Sequence, residues 1–258
     1  MKKTKKHETL SLLKKFNNID EVIEELHAKP LKIVQNKKHF CFGIDAILLA
    51  NFARIKRNHK ICELCSGNGI ISILLSRKLQ NGHIDAVEIQ KEAFVLAEKS
   101  VKINNIEDKI SLFNEDLKKA PDFLQKCSYD AVVCNPPYMK NCPTSANKTP
   151  QLLIARQEVC CTIDDVAKTS AALLKNGGSL YLIHKADRMA DVIFALKSHK
   201  LEPKYITFIK PFLGKSPTMF LVESVKDAKS FLKYNDDIIV YSAPGQYTDQ
   251  MNKIYSEE

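Results

Sequence analysis

Short apolar runs and longer amphipathic segments alternate along the chain from Lys60 onward. The runs are rich in β-branched residues, which is typical of buried strands, and the segments between them have helical periodicity. Strands are predicted at 60–65, 83–88, 109–113, 129–134, 178–184, 204–210 and 218–225. Helices are predicted at about 70–79, 91–104, 118–125, 163–175 and 187–199.

This alternation is the pattern of βαβ units, which build a parallel sheet covered by helices on both faces. Residues 211–217 alone separate the last two strands, and they are too few for a crossover helix. We therefore expect those two strands to pair antiparallel. The predicted fold class is α/β: a Rossmann-like, mostly parallel sheet of seven strands that ends in an antiparallel hairpin.

The first 30 residues show a different pattern. We interpret residues 1–30 as a basic, partly helical leader in which Asp20 caps a short helix over 22–26. Residues 31–258 are interpreted as a single domain, because no repeat, low-complexity segment or linker divides them.

The single domain should contain four elements besides the alternating ones. Two short strands are predicted at 31–35 and 39–42, and an apolar helix follows over 44–54, with Asp45 as its cap. Near the other end, 238–241 is an apolar, β-branched run that could add a strand at the edge of the sheet.

Charge and cysteine content indicate the kind of partner and the cellular compartment. The net charge of +9 and pI of about 9.0 favour a polyanionic partner such as RNA, although only five of the 39 basic residues are arginine. Eight cysteines with one CxxC, Cys62 and Cys65, indicate buried thiols in a reducing compartment, with no zinc site and no disulfide framework. No stretch reaches the roughly 20 apolar residues of a membrane span. A cytoplasmic protein is predicted, with no metal and no obligate protein partner.

The motif Asn135-Pro136-Pro137-Tyr138 follows the predicted strand at 129–134. Prolines fix φ near −65° and lack an N–H, so the motif is a rigid corner rich in hydrogen-bond acceptors. The side-chain oxygen of Asn135 and the carbonyl of Pro136 can accept the two hydrogens of a planar amino group. Tyr138 can stack on the ring that carries it. The alternative interpretation is a plain proline turn at the end of a strand.

A glycine turn follows the first strand of the alternating region. Gly67 and Gly69 lie between that strand and the next helix, where glycines let the backbone pass close to a ligand. Cys65 and Glu63 end the strand. Alone, such a G-x-G turn is a weak signal.

Three polar residues at other strand ends strengthen it. Glu88 ends the second strand, where an acid can accept from both hydroxyls of a ribose. Asp116 follows the third and could accept from an adenine amino group, with Glu115 as a competitor. Asn135 ends the fourth. Open α/β sheets bind ligands at this edge, so we predict an adenosine-containing cofactor there.

NAD and S-adenosylmethionine both contain adenosine, and both suit such a fold. A dinucleotide would require G-x-G-x-x-G and a pyrophosphate at the helix N-terminus, but the third position is Ser72. Glu63 beside the turn would repel a pyrophosphate and could face an ammonium group. S-adenosylmethionine, which has an ammonium group, a sulfonium and no phosphate, is therefore favoured over NAD.

Together, Glu63–Gly69, Glu88, Asp116 and Asn135–Tyr138 resemble the class I S-adenosylmethionine-dependent amino-methyltransferases. Further stretches resemble, more narrowly, the bacterial tRNA(Val) adenine-37 N6-methyltransferase family: 40–50, 155–158, 184–188, 239–241 and 245–248. The resemblance implies methylation of N6 of the adenine 3′ of the anticodon, with Asn135 and Pro136 aiming the amine and Tyr138 holding the flipped base.

The long segment 139–158 is expected to be a loop that binds RNA or closes the site. Lys140 and Lys148 are candidate phosphate contacts. Arg156 and Glu158 are expected to close the site or hold the RNA, with a surface ion pair as the alternative. Three other activities remain open: protein glutamine N5-methylation, guanine-N2 methylation of rRNA, and RNA binding by an inactive methyltransferase fold.

Overall fold

The computed structural model describes residues 20–26, 31–36, 43–137 and 161–257. The strands are β1 (Glu21–Glu25), β2 (Lys32–Asn36), β3 (Lys60–Leu64), β4 (His83–Val87), β5 (Ile110–Phe113), β6 (Tyr129–Cys134), β7 (Leu174–Lys185), β8 (Leu201–Phe212), β9 (Met219–Lys226), β10 (Lys233–Tyr234), β11 (Ile238–Ala243) and β12 (Gln246–Tyr247).

The main sheet has the strand order β12-β11-β8-β9-β7-β6-β3-β4-β5, with β10 paired to β8. Strands β3 to β7 pair parallel in the order β5-β4-β3-β6-β7, and β9 lies antiparallel between β7 and β8. The predicted fold class is confirmed, including the antiparallel hairpin. The run at 238–241 became β11, which pairs parallel with β8 and extends the sheet further.

The helices are α1 (Ile44–Phe52), α2 (Ile70–Ser76), α3 (Lys91–Asn104), α4 (Ala120–Phe123), α5 (Ile163–Leu173), α6 (Met189–Ser198) and α7 (Asp249–Glu257), with 3-10 turns at Leu117–Lys119 and Ala186–Arg188. Each helix predicted from Ile44 onward is present, although several are shorter than expected. Thr162 caps α5 in a reciprocal pair with Asp165, which satisfies backbone N–H groups at the start of the helix. None of the described helices is long and apolar enough to cross a membrane.

The sheet separates two apolar cores. Side chains alternate between the faces, so Ala131 and Val133 of β6 pack into one core while Val132 and Cys134 pack into the other. The first core is covered by α1, α2, α3 and α7, and the second by α4, α5 and α6. Burial on both faces explains why the central strands are continuous apolar runs.

The expected helix over 22–26 is wrong, because this segment forms β1 and pairs antiparallel with β2. Its mixture of acidic and apolar residues, Glu-Val-Ile-Glu-Glu, is compatible with a helix or a strand, and its packing against neighbouring elements determines which one forms. The hairpin is attached to α3, since the Ser100 hydroxyl accepts from Val34 N at 2.9 Å and Lys99 pairs with Glu21 at 2.6 Å. The division of the chain at residue 30 remains a prediction; the 39–42 strand lies outside the described residues.

Gly82 in the turn before β4 allows a test of the packing. A Cβ there would lie 2.4 Å from the His59 carbonyl oxygen and 2.7 Å from Leu79 Cδ2. The His59 backbone can move away only at a cost in free energy. We therefore expect Gly82→Ala to lower the free energy of unfolding by about 1–3 kcal/mol in urea denaturation. The neighbouring, exposed Asn81 provides the control: Asn81→Ala should stay within about 0.5 kcal/mol of the parent. Equal stability of the two variants would contradict the packing described.

Candidate active site

Four strands of the sheet end side by side. Leu64 of β3 lies opposite Val87 of β4 and Cys134 of β6, and Val87 lies opposite Phe113 of β5. The residues that follow these ends are therefore brought to one edge: Cys65, Glu88, Asn114 and Asn135. A cavity of about 620 Å³ lies at this edge and is lined by residues from these strand ends and from α1, α2 and α3.

The turn after β3 requires its glycines. Gly67 and Gly69 have φ of +56° and +83°, and Cys65, although not a glycine, has φ of +59°. A Cβ on Gly69 would lie 3.2 Å from the Ala97 Cβ, so this glycine packs the turn against α3. A Cβ on Gly67 would meet no atom within 4 Å, and Gly67 lines the cavity, so its missing side chain leaves room for a ligand.

Glu88 connects the turn to the next strand. Its Oε2 accepts from Gly67 N at 2.7 Å, and its Oε1 accepts from Gln90 N at 2.8 Å. Burial raises the pKa of this carboxyl, and the hydrogen bonds from Gln90 and Gly67 partly offset the shift. Asn114 supports the arrangement by donating to the Glu88 carbonyl at 2.8 Å, a role that the sequence did not reveal.

Glu63 is a buried carboxyl with one unsatisfied oxygen. It is 1% exposed, and the Ser72 hydroxyl donates to its Oε2. Its Oε1 has no hydrogen-bond partner among the described residues, and neither has the Ser66 hydroxyl nearby on the cavity wall. Burial raises the pKa of Glu63 to about 8, against the opposing effect of the Ser72 hydrogen bonds.

The two candidate acids after β5 both line the cavity. Asp116 accepts from Lys118 N at 2.9 Å and so caps the following 3-10 turn. Glu115 is more exposed and pairs with Lys119 at 3.1 Å. The better-buried Asp116 is the more rigidly held of the two, and its contact with an adenine remains a prediction.

Asn135 has a partner that the sequence did not suggest. Its Nδ2 donates to Asp45 Oδ2 at 3.1 Å. The expected helix cap at Asp45 is wrong, since the N-cap position is Gly43, and Asp45 is a buried first-turn residue that accepts from Ala46 N at 3.0 Å. Because a carboxylate only accepts, the NH2 end of the Asn135 amide faces Asp45 and Oδ1 is the end turned away from it.

Two thiols lie at the same edge. Cys65 and Cys161 both line the cavity, with their sulfurs 3.8 Å apart. A hydrogen bond with Cys134, together with burial, raises the pKa of Cys65 against the opposing effect of Cys161. A hydrogen bond with Cys65, together with burial, raises the pKa of Cys161, so both thiols are poor nucleophiles. Cys62 is buried in the core, and no group of three or more metal-ligating side chains occurs among the residues described.

Pro136 and Pro137 line the cavity next to Asn135. The remaining predicted substrate residues lie outside the described part of the chain: Tyr138, Lys140, Lys148, Arg156 and Glu158. Three of the four residues of the corner therefore lie on the cavity wall, beside the glycine turn that follows β3.

The donor set of the cavity identifies the kind of ligand that it fits. Six carboxyl groups line it: Asp45, Glu63, Glu88, Glu92, Glu115 and Asp116. Such a wall repels a pyrophosphate but can receive sugar hydroxyls and a positively charged group. The unsatisfied oxygen of Glu63 and the open space at Gly67 fit S-adenosylmethionine, whereas NAD fits poorly.

Comparisons with known proteins give the same family as these motifs. Residues 39–200 match the methyltransferase small domain. A Histophilus somni protein named tRNA1(Val) (adenine(37)-N6)-methyltransferase is 24% identical over 239 residues, which cover 90% of this chain and 95% of that protein. A protein of the same name from Phocaeicola vulgatus is 29% identical over 182 residues, 70% of this chain and 74% of its own.

One solved structure shows the same fold. The crystal structure of a "predicted O-methyltransferase" from Agrobacterium tumefaciens matches with a TM-score of 0.66 at 21% identity, covering 82% of this chain and 95% of that one. The resemblance read from the sequence motifs is confirmed by these matches.

The buried Glu63 predicts a pH dependence of stability. Its pKa in the folded protein, about 8, lies above the ordinary value of 4.5, so between these pH values the folded state keeps a proton that the unfolded state has lost. The free energy of unfolding should therefore fall as pH rises through this window. In urea denaturation at pH 5 and pH 8, Glu63→Gln should show a smaller fall than the parent. The exposed Glu92 of the same cavity supplies the control Glu92→Gln, and identical pH slopes for both variants would refute the assignment.

Proposed function

The chain belongs to the methyltransferase small domain family, and from this premise we propose that it methylates N6 of adenine 37, the base 3′ of the anticodon, in a tRNA. The methyl donor is S-adenosylmethionine, which supplies an electrophilic methyl group on a positively charged sulfur. The names of the relatives at 24% and 29% identity support the substrate class. The selection of tRNA(Val), the anticodon stem-loop as contact region and a cytoplasmic location belong to the same proposal.

One observation carries the proposal: the Asn135 amide is held in one orientation by Asp45 at 3.1 Å. An exocyclic amine has two hydrogens, and its lone pair is delocalised into the ring. Asn135 Oδ1 and the Pro136 carbonyl would accept one hydrogen each, which turns the lone pair out of conjugation and toward the methyl group. Fixed dipoles of this kind need no reorganisation during the reaction.

The other residues of the cavity bind the cofactor in this proposal. Glu88 would receive the ribose hydroxyls, Asp116 the adenine amino group, and Glu63 the positive end of the methionine portion. Glu63 holds a proton at neutral pH because its pKa is about 8. A cation bound against it would favour the ionised form, so binding should release that proton.

Recognition of the RNA in this proposal uses residues outside the described part of the chain. The target adenine must leave the stack of the anticodon loop, and Tyr138 would hold it once flipped. Lys140, Lys148 and Arg156 would contact the backbone phosphates. The net charge of +9 agrees with a nucleic-acid substrate.

The decisive experiment is mass spectrometry of nucleosides from tRNA of a strain lacking this protein. Loss of N6-methyladenosine from tRNA, restored by the purified enzyme with S-adenosylmethionine, is the expected result. Parallel assays with radiolabelled donor on total tRNA, rRNA and release factor separate the alternatives. Label in rRNA or release factor and none in tRNA would overturn the proposal.

Truncation of the acceptor tests the corner itself. Asn135→Ala should lower kcat by about a hundredfold or more, since one positioned hydrogen-bonding group in an active site has this magnitude. The affinity for S-adenosylmethionine, measured by calorimetry, should be retained. Asn81→Ala, the same truncation on an exposed turn, should leave both values unchanged. A variant that keeps its turnover would show that Asn135 does not aim the amine.

Asp45 is expected to act as a positioning residue through Asn135. In Asp45→Asn, the new amide can face Asn135 with either its oxygen or its NH2 group, so the orientation is no longer fixed. We expect kcat to fall about tenfold or more, the value of one charge-assisted hydrogen bond. The KM for S-adenosylmethionine and the melting temperature should change little. A loss confined to cofactor affinity would instead make Asp45 a cofactor ligand.

A further inference from the structure

The charges that line the cavity are not evenly mixed. Six carboxyl groups line it, and among the described residues the one cationic side chain on its wall is Lys185. A polyanion such as RNA is repelled by an acidic wall, so the substrate can approach closely only where a cation offsets that field. The location of Lys185 therefore indicates where a phosphate can lie.

Lys185 lies on the opposite side of β6 from the strands that lead to Glu63, Glu88 and Asp116. It is the last residue of β7, and β7 is the neighbour of β6 on the side away from β3 and β4. Cys134 lies opposite Leu182, so Lys185 is three residues further along β7, beside the corner that begins at Asn135. With strands about 4.8 Å apart, β7 is roughly 10 Å from β3 and roughly 14 Å from β4.

The Lys185 ammonium group is not committed to another contact within the described part of the chain. Other lysines near the ends of the parallel strands form ion pairs, for example Lys118 with Asp116 at 3.3 Å and Lys175 with Asp130 at 2.8 Å. Lys185 is exposed and has no hydrogen bond or ion pair from its side chain to a described residue. A lysine at this place can therefore bind a ligand without first breaking an ion pair.

We propose that Lys185 binds a backbone phosphate of the substrate nucleotide and thereby makes the cavity accept a nucleic acid. This inference rests on the proposed function and gives the chemistry by which the active site distinguishes RNA from a protein substrate with a planar amide. An ammonium group offers three donors to phosphate oxygens, and a glutamine side chain presented by a protein has no such anion. The competing ligand is the carboxylate of the cofactor's methionine portion.

The variants Lys185→Ala and Lys185→Arg separate these ligands. The binding of an anticodon stem-loop RNA by fluorescence anisotropy needs no turnover, and the affinity for S-adenosylmethionine is measured by calorimetry. Lys185→Ala should weaken RNA binding about tenfold to a hundredfold, and Lys185→Arg should restore most of it. The slope of log affinity against log salt should decrease by about 0.7–0.9, the contribution of one phosphate.

The control is Lys126→Ala, an exposed lysine in the turn before β6, at the other edge of the sheet. It should bind RNA and cofactor like the parent. Weakened binding of S-adenosylmethionine with unchanged RNA affinity would overturn the inference in favour of the cofactor carboxylate, and an unchanged salt slope in Lys185→Ala would overturn it outright. If the parent enzyme transferred no methyl group to tRNA, the proposed function would be refuted instead. The binding measurements need no turnover, so the two failures can be told apart.

Discussion

Parallel, in-register pairing of β3, β4, β5 and β6 is the constraint on which the site depends. Leu64, Val87, Phe113 and Cys134 end their strands at one level, so side chains up to seventy positions apart in the chain meet at one edge. The pairing itself is held by two apolar cores that bury the strands on both faces. Since a shift of one residue would turn a strand's core residues to the opposite face, the register and therefore the site geometry are strongly specified.

The site concentrates negative charge in a partly buried cavity, which opposes folding. Backbone N–H groups of Gly67 and Gln90 stabilise Glu88, and the Ser72 hydroxyl stabilises Glu63. What remains is relieved by protonation, since the pKa of Glu63 is about 8. A carboxyl with this pKa can exchange its proton for a ligand's positive charge near neutral pH. In the proposed function, where Glu63 receives the positive end of the cofactor, cofactor binding and fold stability are thus connected through the same group.

The sequence predicted the strands and helices better than the contacts between them. The seven strands and five helices predicted from the alternating pattern after Lys60 were found because periodicity and buried apolar runs are local properties. The strand at Glu21–Glu25 was missed because its pairing with β2 and its packing on α3 are not local. In the same way, the motif identified Asn135, but the Asp45 partner is 90 positions away and its own sequence context indicated only a helix cap. Contacts between residues that are distant in the chain depend on the topology of the fold, and local sequence patterns do not predict them.

The strand order also agrees with the proposal that an amine-binding corner follows β6. The glycine turn follows β3, Glu88 follows β4 and Asp116 lies beyond the end of β5, while Lys185 ends β7. Of the strands bordering the cavity, β6 is the one between these two halves. In the proposed function, a residue that orients an amine toward a cationic methyl donor must adjoin both halves. Asp45 of α1 supports Asn135 in this place by accepting from its amide at 3.1 Å. Asn135 at the end of β6 meets these conditions, whereas the same motif after β4 would face acids on both sides.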